Sequence, residues 1–247
     1  MTAREDILGG IRRGLRRGQL PAETESALAA RVAAHRRNLV PARAAALDPV
    51  ARVDLFIAMA EEVQTTVARI GSGDDVPGEV ARYLAAENLP AELVMAPDPA
   101  LDAIPWESRP LLSIRRGRAG AGDAVSLTPC LAAIAETGTL MLVSGAATPT
   151  TLNFLPDTHI VVLRAGQVVA SYEDGWDLTR ARSSPHPDPP PQAGEGILGE
   201  AWPRTVNLIT GPSRTGDIEQ RIQLGAHGPR RLHVILVDEP LGAPAAG

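Results

Sequence analysis

The sequence predicts an α/β fold: a layered, mostly parallel sheet flanked by helices, with a helical extension at the N-terminus. Three observations carry this. Helical stretches alternate with short apolar strand-like runs, the pattern of a parallel sheet with helical crossovers. Leu93-Val94-Met95, His159 to Leu163 and Leu232 to Val237 read as strands, being short, apolar and mostly β-branched. Residues 1–46, by contrast, show only helical spacing, broken by Pro21 and Pro41.

The elements follow in order. Thr2 to Glu5 has the form of a capping box, and Ile7, Leu8, Ile11 and Leu15 follow at helical spacing. Arg12, Arg13, Arg16 and Arg17 lie on or near the other face, which suits a solvated surface, an acidic partner or a membrane surface. Glu23 to Leu39 is a second, Ala-rich helix. The main domain is expected over residues 47–240, with a fraying tail of small residues over 241–247. Pro49 to Ile70 reads as one long helix, because Val53, Phe56, Ile57, Ala60, Val63 and Val67 share a stripe. Pro77 opens the next helix, which runs to about Asn88. Leu111 to Arg115 is a further strand, and Thr128-Pro129 reads as an N-cap and first position of a short helical turn.

The second half is more irregular. Ala132 to Ala135 leads into Glu136-Thr137-Gly138-Thr139 and then Leu140 to Val143. His159 to Leu163 and Val168 to Tyr172 flank Arg164-Ala-Gly-Gln167, a β-hairpin or strand pair closed by a Gly turn. Residues 182–196, rich in Pro, Gly and Ser, cannot pack a core and read as a mobile insert. Thr205 to Ile209 is a buried strand running into the turn signal Gly211-Pro212. Ser213 or Thr215 would cap a following helix containing Asp217, Ile218 and Ile222. Gly225 to Gly228 is a loop before the last strand, with His227 between two glycines.

Composition removes several function classes. Aromatics are 3% of the 247 residues and the formal charge is −5, which disfavours stacking on or charge-steered binding to nucleic acid. The 24 basic residues are all arginine, so a phosphate loop or Schiff-base chemistry that needs lysine is excluded. Cys130 stands alone, which forbids internal disulfides, suits a reducing cytoplasm and is too few thiolates for an iron-sulfur cluster. The five histidines show no metal-ligand spacing, so no metal is expected. No apolar run is long enough to span a bilayer, and no signal peptide is visible.

Two clusters carry candidate chemistry. A strand, a Gly loop and a helix start after Thr210 would aim backbone N–H groups and the helix dipole at one spot that favours an anion. Gly211, Ser213, Arg214 and Thr215 would line it, Arg214 offering a fork of donors, with Asp217 a possible catalytic group in the first turn. The plainer reading makes Ser213 or Thr215 a cap and Arg214 a solvated charge. In the other cluster Glu136 interrupts an apolar run, so its carboxylate needs a partner or a task, as base or nucleophile. Here the plainer reading is a turn residue at a sheet edge, with Gly138 supplying an unusual backbone angle.

Ile134 to Leu142 (IAETGTLML), Thr210 to Gln220 (TGPSRTGDIEQ) and Gly225 to Val237 (GAHGPRRLHVILV), in that order and separation, closely resemble the lactate utilization protein C family, whose core is the LUD domain. Leu155 to Val162 fits the segment between the first two motifs, and the resemblance covers roughly residues 47–237. It implies a fold of the NagB/RpiA/CoA transferase-like superfamily. It also implies a role beside two iron-sulfur proteins in oxidising L-lactate to pyruvate, with the clusters on those partners. The insert at 182–196 departs from the family pattern. We therefore expect an accessory or regulatory subunit, a homo-oligomer being compatible, that binds a small carboxylate or phosphate between Thr137, Gly138 and Thr139 on one side and Ser213, Arg214, Thr215, His227 and Gly228 on the other. The alternatives are a free-standing transferase or isomerase using Glu136, and a structural partner with no ligand.

Overall fold

The computed structural model describes residues 3–16, 18, 20–37, 39–182, 202–218, 221–224 and 227–238. Thr2, most of the insert, Gly225 and the tail over 241–247 lie outside them. Residues 1–39 and 40–247 form two compact units. The first holds the two expected helices, α1 (Ala3–Gly14) and α2 (Ala22–Ala33), and neither buries a residue. Among the described residues no helix is long and apolar enough to cross a membrane.

The larger unit runs α3 (Ala42–Ala45), α4 (Pro49–Glu62), β1 (Thr66–Ile70), α5 (Val76–Ala86), β2 (Glu92–Met95), α6 (Pro99–Asp102), β3 (Ser113–Arg116), β4 (Val125–Pro129), β5 (Ala132–Ile134) and β6 (Thr139–Val143). It continues through α7 (Thr151–Phe154), β7 (Thr158–Arg164), β8 (Val168–Val169), α8 (Tyr172–Arg182), β9 (Val206–Ile209), β10 (Arg214–Ile218), β11 (Arg221–Leu224) and β12 (Arg231–Val237). The main sheet is parallel throughout, in the order β1-β12-β7-β4-β2-β3. A second, mixed sheet runs β8-β5-β6-β9, and β10 with β11 makes an antiparallel arm.

Strand alternation divides the core in two, because successive side chains point to opposite faces. Ile160 and Val162 of β7, with Ile235 and Val237 of β12, pack under α5. Val161, Leu163, Val234 and Leu236 pack on the other face, against α4 and the inner side of the second sheet. The second sheet thus takes the place of a helix on that face. The layered α/β expectation holds.

Four local expectations change. The stretch from Pro49 does not run as one helix to Ile70. Asp48 caps its start, accepting from Ala51 N at 2.9 Å. Its end is closed by Gln64 in a left-handed conformation (φ 67°). Thr65 N donates to Ala60 O at 3.0 Å and Gln64 N to Glu61 O at 2.9 Å, the paired bonds of a Schellman end. β-branched Thr66 and Val67 then enter the sheet edge. Thr128-Pro129 ends β4 instead of opening a helical turn, since the Thr128 hydroxyl is taken by His159. Arg164 to Gln167 does not close a hairpin: β7 and β8 belong to different sheets. And no helix follows Gly211-Pro212. The chain goes directly into β10, pairing Arg214 with Leu224 and Thr215 with Gln223.

Candidate functional site

Losing that helix removes the anion site expected at its N-terminus. What the structure brings together instead is the end of α4. Gly138 (φ 65°) sits so close to it that an added Cβ would lie 2.5 Å from the Met59 carbonyl carbon. Gly211 (φ 79°) does the same at Val63, its Cβ falling 2.6 Å from that carbonyl oxygen. The Arg214 guanidinium donates to the same Val63 oxygen at 2.7 Å. Both glycine-centred motifs therefore clamp one helix end.

The hydroxyl groups of the first motif form a closed net. Thr137 and Thr139 Oγ1 lie 2.7 Å apart, Thr139 reaches Thr210 Oγ1 at 2.7 Å, and the Tyr172 hydroxyl stands 2.9 Å from Thr139. Neither Tyr172 nor Thr210, the first residue of the second motif, is among the site residues expected from the sequence. Glu136 is 5% exposed. Its Oε1 accepts from Tyr172 N at 3.4 Å, at the start of α8. Its Oε2 has no hydrogen-bond partner among the described residues, and Arg43 donates to its backbone carbonyl.

Ser213, His227 and Gly228 also meet. Ser213 Oγ accepts from His227 N at 3.2 Å, Ser213 N donates to Pro229 O at 2.8 Å, and Gly228 lies against Ser213. Thr215 and Asp217 lie in β10, and their side chains fall outside the described part of the structure.

None of these residues lines the cavity at the carboxyl ends of the main-sheet strands. It has a volume of about 840 Å³ and opens at the carboxyl ends of β2, β4 and β7, where Asp98, Thr128, Pro129, Val162 and Arg164 reach it. This is where ligands sit in open parallel sheets. The second sheet closes it with Leu131, Leu142 and the turn from Val143 to Thr148, and α7 contributes Asn153. The β5–β6 turn that carries Glu136 is at the other end of those two strands.

Local interactions set the cavity's chemistry. Gln167 holds Arg164: its Oε1 accepts from Arg164 N at 2.9 Å, and its Nε2 donates to Cys130 O at 2.5 Å. Burial pushes the Cys130 thiol up to about 12, so it stays protonated, donating to Ala132 O at 2.8 Å and Met141 O at 3.4 Å. Burial also pushes His159 down to about 3, leaving it neutral behind Thr128. The signal for Arg164 was present in the sequence: it is the first charged residue after a buried strand, at the end where ligands gather. Asn153 and Thr128 left no such signal. Among the described residues no group of three or more His, Cys, Asp or Glu is placed to hold a metal ion.

The LUD domain family model matches residues 53–237. A lactate utilization protein C of Deinococcus radiodurans is 34% identical over 176 residues, covering 67% of this chain and 70% of that protein. A lactate utilization protein C of Geobacillus sp. is 34% identical over 106 residues, covering 43% of this chain and 39% of that protein. An uncharacterized protein of Neisseria meningitidis serogroup B is matched over only 38% of its length, so the chain spans about two fifths of both these relatives. Among solved structures, the crystal structure of a DUF162 family protein from Deinococcus radiodurans superposes with a TM-score of 0.53 at 25% identity, covering 77% of this chain and 99% of that one.

Proposed function

The chain belongs to the LUD domain family, and from that premise we propose that it acts in lactate utilization as an accessory, ligand-binding subunit. Oxidising lactate to pyruvate releases two electrons, which need a carrier. These 247 residues offer a single thiol, Cys130, buried and protonated. One thiolate does not hold an iron-sulfur cluster. The reading therefore puts the clusters on partner proteins. Relatives named lactate utilization protein C support the metabolic assignment.

The observation that carries the ligand-binding part is the cavity at the carboxyl ends of β2, β4 and β7. It is polar at its base, walled by aliphatic side chains, and separate from the buried Glu136. Binding in the fold's usual crevice is thus supported by geometry, and chemistry at Glu136 less so. The anion expected after Thr210 is reassigned to this cavity.

The test is growth of a strain lacking the protein on L-lactate as sole carbon source. The wild-type chain should restore growth. Ala147→Trp, which puts an indole on a lining position of the cavity, should not, while circular dichroism shows it folded and it still co-purifies proteins bearing iron and acid-labile sulfide. Normal growth of the deletion strain on lactate would sink the reading.

A further inference from the structure

We propose that the cavity takes a hydroxylated aliphatic organic anion longer than lactate, its charged group seated on Arg164. The inference rests on the cavity being the ligand site and adds what that ligand is.

Arg164 is fixed at its base and free at its tip. Gln167 Oε1 holds the Arg164 backbone N–H at 2.9 Å and Nε at 3.4 Å. The two terminal nitrogens have no hydrogen bond or ion pair to a described residue. A guanidinium positioned this way offers a preset fork to a carboxylate or phosphate. Asp98, on the β2 side, is already engaged, accepting from Ala100 N at 2.9 Å. Its charge disfavours a second anionic group on that side.

Asn153 gives the independent observation. It is 4% exposed and lines the cavity, yet its amide has no hydrogen-bond partner among the described residues. Buried amides are normally satisfied, so one left open toward a cavity marks a place where a ligand supplies the partner. Thr128 adds a directed donor. His159 Nε2 lies 2.7 Å from Thr128 Oγ1, while Nδ1 is buried with no partner. A bare ring lone pair is tolerated better than an orphaned N–H, which puts the proton on Nε2. The ring then donates to Thr128, and the threonine's own hydroxyl proton is left for the cavity.

Size and walls set the rest. Cavities of roughly 300–1,000 Å³ hold ligands of cofactor size, and this one is about 840 Å³. Lactate would leave most of it unfilled. Leu131, Leu142 and Val162 form an aliphatic wall, and none of the described lining residues is aromatic, so no ring is offered for a base to stack on. An aliphatic chain bearing hydroxyls fits both the wall and the open donors.

The test uses the full chain with four probes: gluconate, 6-phosphogluconate, lactate and adenosine monophosphate, read by thermal shift and calorimetry. Gluconate or 6-phosphogluconate at a hundredfold over its dissociation constant should raise the melting temperature by several degrees. Lactate and adenosine monophosphate at the same concentration should not. Arg164→Gln should weaken binding at least tenfold, Arg164→Lys and Asn153→Ala severalfold, and Arg214→Ala not at all, with unliganded melting curves reporting that each variant folds. Absence of any shift with both polyhydroxy acids, a shift that survives Arg164→Gln, or tighter binding of adenosine monophosphate each overturns the proposal. If the polyhydroxy acids fail while Ala147→Trp still abolishes growth on lactate, the ligand class alone is wrong. Arg164-dependent binding with lactate growth indifferent to Ala147→Trp keeps the ligand and removes the metabolic role.

Discussion

Arg214 Nη2 donates to the Val63 carbonyl at 2.7 Å, across 151 positions of sequence. Val63 is the C-cap of α4, so the arginine satisfies an oxygen that the helix leaves without an internal partner. Gly211 approaches the same oxygen, and Gly138 approaches the turn before it. Two motifs far apart in the chain thus share one task, which is seating a helix end on the second sheet.

Arg214→Ala should lower stability by about 1 kcal/mol, the worth of an exposed hydrogen bond from a charged donor. For a chain of this length that is a drop of about 2–4 °C in melting temperature. Calorimetry checks it. Loss of ligand affinity without loss of stability would return Arg214 to the role of an anion receptor.

Gly138→Ala and Gly211→Ala should cost more. Each places a Cβ in a left-handed backbone conformation, about 1–2 kcal/mol, and each overpacks the end of α4, typically 1–3 kcal/mol more. Chemical denaturation midpoints should fall clearly for both. Gly166→Ala is the control, since a Cβ there meets nothing within 4 Å, and its midpoint should stay near wild type. Equal midpoints for all three would refute the clamp.

Within the main sheet β2, β7 and β12 are legible because they are short apolar runs buried on both faces, whereas β1, half-exposed at the sheet edge, reads as the end of a helix and the end of β4 as a helical turn. The end of α4 is not legible, since Val63 and Val67 continue the helical stripe and only Gln64, a residue without a glycine's signal, breaks it. The β10–β11 arm reads as a helix from sequence for a related reason. Ser213 and Thr215 are as good at capping a helix as at pairing in a strand, and strand pairing depends on a partner from elsewhere in the chain. The motif residues were found, yet their task was hidden, because nothing local says that Gly138 and Gly211 face one helix. The cavity depends on side chains from β4, β7 and α7 meeting at one sheet edge, which only the topology supplies.

Glu136 should not form an acyl adduct. Its Oε2 is buried, its Oε1 is held at the start of α8, and the cavity is at the other end of β5 and β6. Incubation with acetyl-CoA followed by hydroxylamine or borohydride, read by peptide mass spectrometry, should leave Glu136 unmodified. A hydroxamate or reduced residue at that position would establish the transferase reading and displace the accessory one.

Stability should fall as pH drops from about 6.5 toward 5. His159 is fully buried, with its pKa pushed down to about 3 by desolvation. His233 is held near 4: burial lowers it, and Glu79, 3.2 Å from its Nε2, only partly opposes this. Glu79 is itself raised by burial and brought net below its ordinary value by Arg82, so its charge persists and the histidine remains neutral behind it. The ring also stacks on Tyr83 with centroids 3.9 Å apart and meets Thr66 Oγ1 at 2.8 Å, contacts that need no added proton. Between the unfolded value near 6.5 and these folded values, the unfolded chain binds protons that the folded chain refuses. The stability is complete above pH 6.5 and declines below it, by up to about 1.4 kcal/mol per pH unit for each histidine. Carboxylates lie mostly below this window, so the slope between pH 6.5 and 5 belongs chiefly to the two rings. His233→Gln should remove about half of it in urea titrations at successive pH values. A slope unchanged in that variant would mean that His233 takes up its proton in the folded chain.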